Sequence, residues 1–321
     1  TRGADGRALR ASMLTMMDAP PAMGAYRALG AVANLYNSRL GAHVRFQALP
    51  TPFDVYTDGI ENPVFEEFGA GTEALHLEDV DARRQLMGAP GYQQMFRKQW
   101  TSKVAPRAYH RNLSEARIVS APDSSLDGRT FAEVAAQRGA DPLDTFLDLQ
   151  ATYGNDLRWY TVIANANADH LQSIVSHPAA MIGFSDAGAH LRNMAFYNFP
   201  LRMLKRVRDA ELAGAPFMSV QQAVHKLTAD IADFHRIDAG RLAVGKRADV
   251  VVIDPERLDD SVEEVHEQQM VGFGDLDRLV LRNDDTVRAV LVNGRVAWRG
   301  GIPAADLGTA KHYGQFLPLG G

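Results

Sequence analysis

The sequence predicts an α/β protein built on a parallel sheet of the barrel type, and three observations carry that prediction. Between Leu9 and Leu49 a strand, a helix and a second strand follow one another through short connections. That order makes a βαβ unit, with parallel strands and a right-handed crossover. The apolar run from Ala180 to Ser185 stops abruptly at Asp186, and the carboxyl end of a buried parallel strand is where α/β barrels carry their chemistry. From about Ala248 the hydrophobic period changes to two, so a small β-rich unit closes the chain.

Leu9 to Met17 is apolar enough for a buried strand, and Asp18 with Pro20 and Pro21 ends it. Ala25 to Leu40 places Tyr26, Leu29, Val32, Leu35, Tyr36 and Leu40 at helical spacing, with Gly41 as the C-terminal cap. Val44 to Leu49 is the next strand, broken by Pro50 and Pro52. From Phe53 to Arg158 charge-dense helical patches and loops replace the alternation, which marks an insertion or lid. One helix start inside it is explicit: Asp141 caps, Pro142 suits the first turn and Asp144 adds a favourable charge.

Alternation then returns. Leu157 to Ala164 reads as a strand, Ala168 to Ser176 as a helix ended by His177-Pro178, and Ala180 to Ser185 as the strand that delivers Asp186. Ser219 and Gln222 form a capping box for a helix running to about Phe234. Ala248 to Asp254 and Val287 to Val292 are strands, the latter turning at Asn293-Gly294 into Arg295 to Trp298. The expected divisions are residues 1–52 (barrel strands and helix), 53–158 (insertion), 159–240 (final barrel strands and helices), 241–302 (small β-sandwich) and 303–321 (tail).

Composition narrows the function classes. A hydrophobic content of 46% and a charged content of 23% are those of a globular protein, and 321 residues suit one large barrel or two to three domains. A net charge of −5 gives no electrostatic case for nucleic acid or an anionic membrane. With no cysteine there is neither a disulfide framework nor a thiolate metal site. The chain opens on Thr1 in what reads as mid-loop sequence, so it is expected to continue a longer polypeptide; the expected location is cytoplasmic.

Three segments carry a resemblance to a known family. Phe184-Ser-Asp-Ala-Gly-Ala-His190 resembles the last-strand aspartate motif of metal-dependent amidohydrolases. Gly240 to Asp254 is similar to their return into a small β-sandwich, and Val287 to Arg295 to their closing hairpin. The insertion and His177-Pro178 point to the N-acyl-D-amino-acid deacylase (D-aminoacylase) branch. The resemblance implies a (β/α)8 TIM-type barrel with a C-terminal β-sandwich, of which this chain holds only the last strands: Leu9 to Met17 as the sixth and Val44 to Pro52 as the seventh. It also implies one or two divalent metal ions, usually zinc, and hydrolysis of a non-peptide C–N bond in N-acyl amino acids. A cyclic amide, lactone or ester substrate, or a non-catalytic binding protein on a degenerate barrel, stays open.

On that resemblance Asp186 is metal ligand and proton shuttle. His190 is a candidate for metal, substrate or Asp186 orientation, or a structural histidine. Arg192 and Arg158 suit a substrate carboxylate, since a guanidinium binds one in a bidentate way, or else an ion pair of the fold. Tyr197 belongs to the same substrate-binding loop. His110 and Arg111 lie in the insertion within reach of a pocket. Two departures stand out: no His-x-His occurs, and the presumed sixth strand offers Met13, Thr15, Met16, Met17 and Asp18 where a histidine belongs. The partners expected are a small-molecule substrate and the missing amino-terminal part of the barrel (in the same polypeptide or a separate chain), with a homo-oligomer left open. Neither nucleic acid nor membrane is among them.

Overall fold

The computed structural model describes residues 6, 8, 10–20, 22–104, 107, 109–186, 188–272, 274 and 276–318. Strand β1 (Arg10–Met13), helix α1 (Tyr26–Leu40) and strand β2 (His43–Ala48) form the expected βαβ unit, with β1 parallel to β2. Gly41 ends α1 in the left-handed conformation, as its position suggested. The buried face of α1 differs from the expectation. Tyr26, Gly30 and Ala33 face inward, while Val32, Leu35, Tyr36 and Leu40 stay exposed. Close approach explains the choice, because a Cβ on Gly30 would lie 2.6 Å from the His177 ring.

Strand β3 (Phe53–Asp58) begins the insertion, and α2 (Gly69–Leu75), α3 (Val80–Gly88), α4 (Pro90–Trp100), β4 (Arg117–Ser120), α5 (Phe131–Arg138) and α6 (Pro142–Tyr153) follow. Asp141 caps α6 by accepting from the amides of Leu143 and Asp144. Strand β5 (Arg158–Ala164) does not join the parallel sheet. It runs antiparallel between β3 and β4, so the antiparallel insertion sheet extends to Ala164 instead of ending at Arg158. The physical reason lies in the face it offers. Trp159 packs into an aromatic core with Phe65, Phe131 and Phe146, all fully buried, at centroid distances of 5.7–6.1 Å.

Helix α7 (Ala168–Ser176) then leads to β6 (Ala180–Ile182), which is parallel to β2 and gives the order β1-β2-β6. One face of this sheet packs Met16, Phe46, Ala48, Ala180 and Ile182 against α7 and α8 (Phe199–Leu212). The helix predicted from Ser219 to Phe234 is two, α9 (Val220–Leu227) and α10 (Ala229–His235), because Thr228 leaves helical geometry (φ −129°, ψ −87°). The Ser219–Gln222 capping box is present.

The β-rich end holds β7 (Val250–Ile253), the ribbon β8 (Val265–Gln269) and β9 (Asp277–Leu281), and β10 (Val287–Val292), β11 (Arg295–Arg299) and β12 (Ile302–Pro303). Four of these form the antiparallel sheet β12-β11-β10-β7. Asn293 and Gly294, both at positive φ, make the predicted β10–β11 turn. Among the described residues no helix is long and apolar enough to cross a membrane.

The aromatic core of the insertion makes one stability prediction. Trp159→Ala removes a fully buried ring and the 2.7 Å bond from its Nε1 to the Gly59 carbonyl. It should cost about 3–5 kcal/mol in urea unfolding. A loss below ~1 kcal/mol would show that the core does not depend on this residue.

Candidate active site

Three strand ends converge at one edge of the parallel sheet. Met16 continues the ladder beyond β1 by donating to the Gln47 carbonyl. Gln47 in turn donates to the Ser12 hydroxyl at 2.8 Å. Just past the third strand, a Cβ on Gly183 would lie 2.8 Å from the Gln47 Oε1, so a side chain there would require Gln47 to move. The chain leaves β6 there and enters the loop that carries Asp186.

Asp186 occupies left-handed backbone (φ 50°), a conformation that costs a non-glycine residue energy. Phe184 fixes the approach to it by packing on Phe53, at a centroid distance of 6.1 Å, against the insertion core. Asp186 itself is half-buried, and its carboxylate forms no hydrogen bond or ion pair with a described residue. His190, also half-buried, contributes its carbonyl, which accepts from the amides of Asn193 and Met194.

The far side of the loop is tied down by charge. Arg192 donates from Nε to Asp58 Oδ2 and from Nη1 to Glu267 Oε2, both at 2.6 Å. Arg158 donates to Asp58 Oδ1 at 2.6 Å and meets Glu267 Oε1 at 2.7 Å. It also donates to the Arg192 carbonyl. Two guanidinium groups and two carboxylates thus close a ring linking β3, β5, the Asp186 loop and β8. Burial opposes the Arg192 charge, but its hydrogen bonds to Asp58 and Glu267 outweigh that and push its pKa up. Asn193 adds a backbone stitch, donating to the carbonyls of Tyr56 and Glu61.

Tyr197 faces the β8–β9 ribbon. Its hydroxyl donates to the Leu279 carbonyl at 3.0 Å and accepts from the Leu281 amide at 2.7 Å. Arg158, Arg192 and Tyr197 are therefore brought together as anchors of one loop, while Asp186 stands at its untied end. His110 is held in the insertion, with Nε2 2.7 Å from the Val162 carbonyl.

Sequence reasoning missed Asp58 and Glu267. The alternation in Phe53-Asp-Val-Tyr-Thr-Asp58 was the available signal for Asp58, since it sets Asp54, Tyr56 and Asp58 on one strand face. It also missed the pairing of Asp18 with His170. His170 Nδ1 lies 2.7 Å from the buried Asp18 carboxylate. Asn165, at φ 58°, clamps Asp18 further by bonding both its amide and its carbonyl.

A metal site requires several converging donors. Among the described residues no group of three His, Cys, Asp or Glu side chains could hold a metal ion. Asp186 alone does not fit a metal centre.

These features can be set beside known proteins. A profile of the amidohydrolase family matches residues 68–297, so the chain belongs to that family. A Mycobacterium tuberculosis (strain H37Rv) uncharacterized protein is 48% identical over 297 residues, covering 92% of this chain and 49% of its own length. The N-acyl-D-glutamate deacylase of Alcaligenes xylosoxydans xylosoxydans is 32% identical over 155 residues, 46% of this chain and 29% of that protein. The crystal structure of Bordetella bronchiseptica N-acyl-D-glutamate deacylase, with zinc and a phosphonate inhibitor, superposes with a TM-score of 0.47 at 21% identity. That match covers 95% of this chain and 49% of the other. The chain thus spans about half the length of these relatives.

The charged ring gives the second prediction. Asp58→Ala would leave Arg158 and Arg192 facing each other across a half-buried gap. It should destabilise the protein by about 3 kcal/mol and raise amide exchange from His190 to Asn198. Unchanged exchange in that loop would show that the ring does not hold it.

Proposed function

We propose that this chain is the carboxyl-terminal part of a hydrolase that cleaves the amide bond of N-acyl amino acids. Asp186 carries the reading. A non-glycine residue in left-handed backbone, at the carboxyl end of a parallel strand, holds a carboxylate free of any described partner. Family membership and the deacylase relative support it. Asp186 accepts the proton of the water that attacks the acyl carbonyl and returns it to the leaving nitrogen, giving a carboxylate and a free amine. His190, four residues on in the same loop, is the second candidate for contact with substrate.

In this reading the substrate's own carboxylate displaces Glu267 from the outer side of Arg192, with Arg158 behind it and Tyr197 holding the loop. Glu267 is the member of the charged ring best placed to yield, being 41% exposed against 14% for Asp58. Divalent metal, with zinc as the expectation, enters this reading only with ligands from outside the described residues.

Those ligands would come with the rest of a (β/α)8 barrel, and the small antiparallel sheet would pair with further strands in a sandwich. Exposed apolar surface supports this. Leu14 beyond β1 is 84% exposed, Val251 on β7 is 54% exposed, and among the described residues β1 and β6 each pair only with β2. An open sheet edge with such side chains promotes association. In sedimentation the chain alone should self-associate, and co-expression with the amino-terminal half of the full polypeptide should give one defined species. A monodisperse chain that melts cooperatively by itself would refute the need for a second half.

Activity tests the chemistry. In the full-length protein, Asp186→Asn should lower the hydrolysis of N-acetyl-amino acids by about 100- to 10,000-fold while the melting temperature holds. Near-wild-type rates in that variant would remove Asp186 from the reaction.

A further inference from the structure

A cavity lies apart from the Asp186 loop, between one face of the insertion sheet and α8. It encloses about 580 Å³, and its walls include Asp54, Tyr56, Tyr160, Arg202, Arg206 and Val119. None of its lining residues belongs to the loop that carries Asp186. Its volume is within the ~300–1,000 Å³ of small-molecule sites.

Arg206 is its unusual member. The Nε donates to the Pro50 carbonyl at 3.2 Å, yet no described carboxylate lies within ion-pair distance of the guanidinium. Burial pushes the pKa of this group down, against a partial offset from Glu263. Its neighbour Arg202 is already engaged, with Nε 3.3 Å from Glu263 Oε1. Across the cavity Asp54 Oδ1 accepts no hydrogen bond but pairs with Arg202 Nη2 at 4.0 Å, and burial raises the pKa of Asp54 against that pairing. The hydroxyls of Tyr56 and Tyr160 also lack described partners, and their rings lie 5.1 Å apart. A half-buried cation left without a counter-charge costs stability unless something completes it.

Charge decides the class of occupant. The walls carry Arg117, Arg202 and Arg206 against Asp54 and Glu263, an excess of one positive charge with both carboxylates ionised and more with Asp54 protonated. A monoanion balances that excess, whereas a phosphate monoester brings about −1.5 to −2 charges toward the two carboxylates. Pro52, Ile118, Val119 and Val265 add apolar wall beside the tyrosine rings. We propose that this cavity binds a small organic monocarboxylate, its carboxylate on the Arg206 fork and its hydrocarbon part against Tyr56 and Tyr160. The site is separate from hydrolysis at Asp186 and stands whether or not that reaction occurs.

Sodium hexanoate is the probe, with 1-hexanol as its uncharged counterpart, titrated into the full-length protein by calorimetry. Saturable binding of hexanoate and none of hexanol is expected. Arg206→Met should weaken hexanoate about tenfold or more by removing charged hydrogen bonds. Val119 is 40% exposed on β4, so Val119→Trp fills the cavity without touching the core and should abolish binding even if the Arg206 variant fails to fold. Asp186→Asn should bind hexanoate as the parent does. Equal affinity in Val119→Trp, loss of binding in Asp186→Asn alone, equal binding of hexanol, or no saturation would overturn the proposal.

Discussion

The arrangement depends on Asp58. Both of its oxygens are taken by arginines, Arg158 from the neighbouring strand and Arg192 from the Asp186 loop. Glu267 of the β8–β9 ribbon closes the other side of both. Ion pairs at this depth are retained only when geometry repays their desolvation, and here each arginine meets two carboxylates. Strand register prepares half of this: Asp58 stands directly opposite Arg158 in the β3–β5 pairing. One carboxylate thereby sets the spacing between the insertion, the Asp186 loop and the β-rich end.

Two cores result, and they differ in completeness. The insertion closes on itself, with Phe65, Phe96, Phe131, Phe146 and Trp159 fully buried; Phe65 stacks on Phe146, and the other contacts among them are edge to face or tilted. The parallel sheet is covered on the face that meets α7 and α8. Its other face presents Ser12, Arg45 and Gln47, which remain at least partly exposed. A parallel sheet is ordinarily buried on both faces. The polar side chains on this one suit a barrel interior, where a site is lined, better than a helix-covered surface.

Much of this was legible in the sequence because it rests on local rules. The βαβ unit, the Gly41 cap, the Asp141 and Ser219 helix starts and the Asn293-Gly294 turn all depend on residues within a few positions of one another. What escaped were choices made at long range. Strand β5 has the same apolar texture whether its partner is parallel or antiparallel, and only Trp159 meeting the aromatic core decides it. Helix α1 carries apolar residues on more than one face, and the small side chains at Gly30 and Ala33 select which is buried. Arg158 and Arg192 were visible as site candidates, but their partners Asp58 and Glu267 lie 100 and 75 residues away from them. No periodicity reports such a pairing.

The same contrast bears on Asp186. An aspartate that merely caps a turn satisfies nearby amides with its side chain, as Asp123, Asp141 and Asp259 do here. Asp186 satisfies none that are described, and it sits at positive φ without the side-chain bonding that makes such backbone inexpensive for Asn165. Around it, Gly183 is pressed against Gln47, Phe184 is packed on Phe53, and the loop beyond His190 is stitched to β3 and β9. The fold therefore holds the approach to a strained residue and the far part of its loop, and among the described residues it leaves the carboxylate without a partner. Such strain persists only where neighbouring structure over-determines it, and it gathers at functional sites. A structural cap would show the reverse, a satisfied side chain on relaxed backbone.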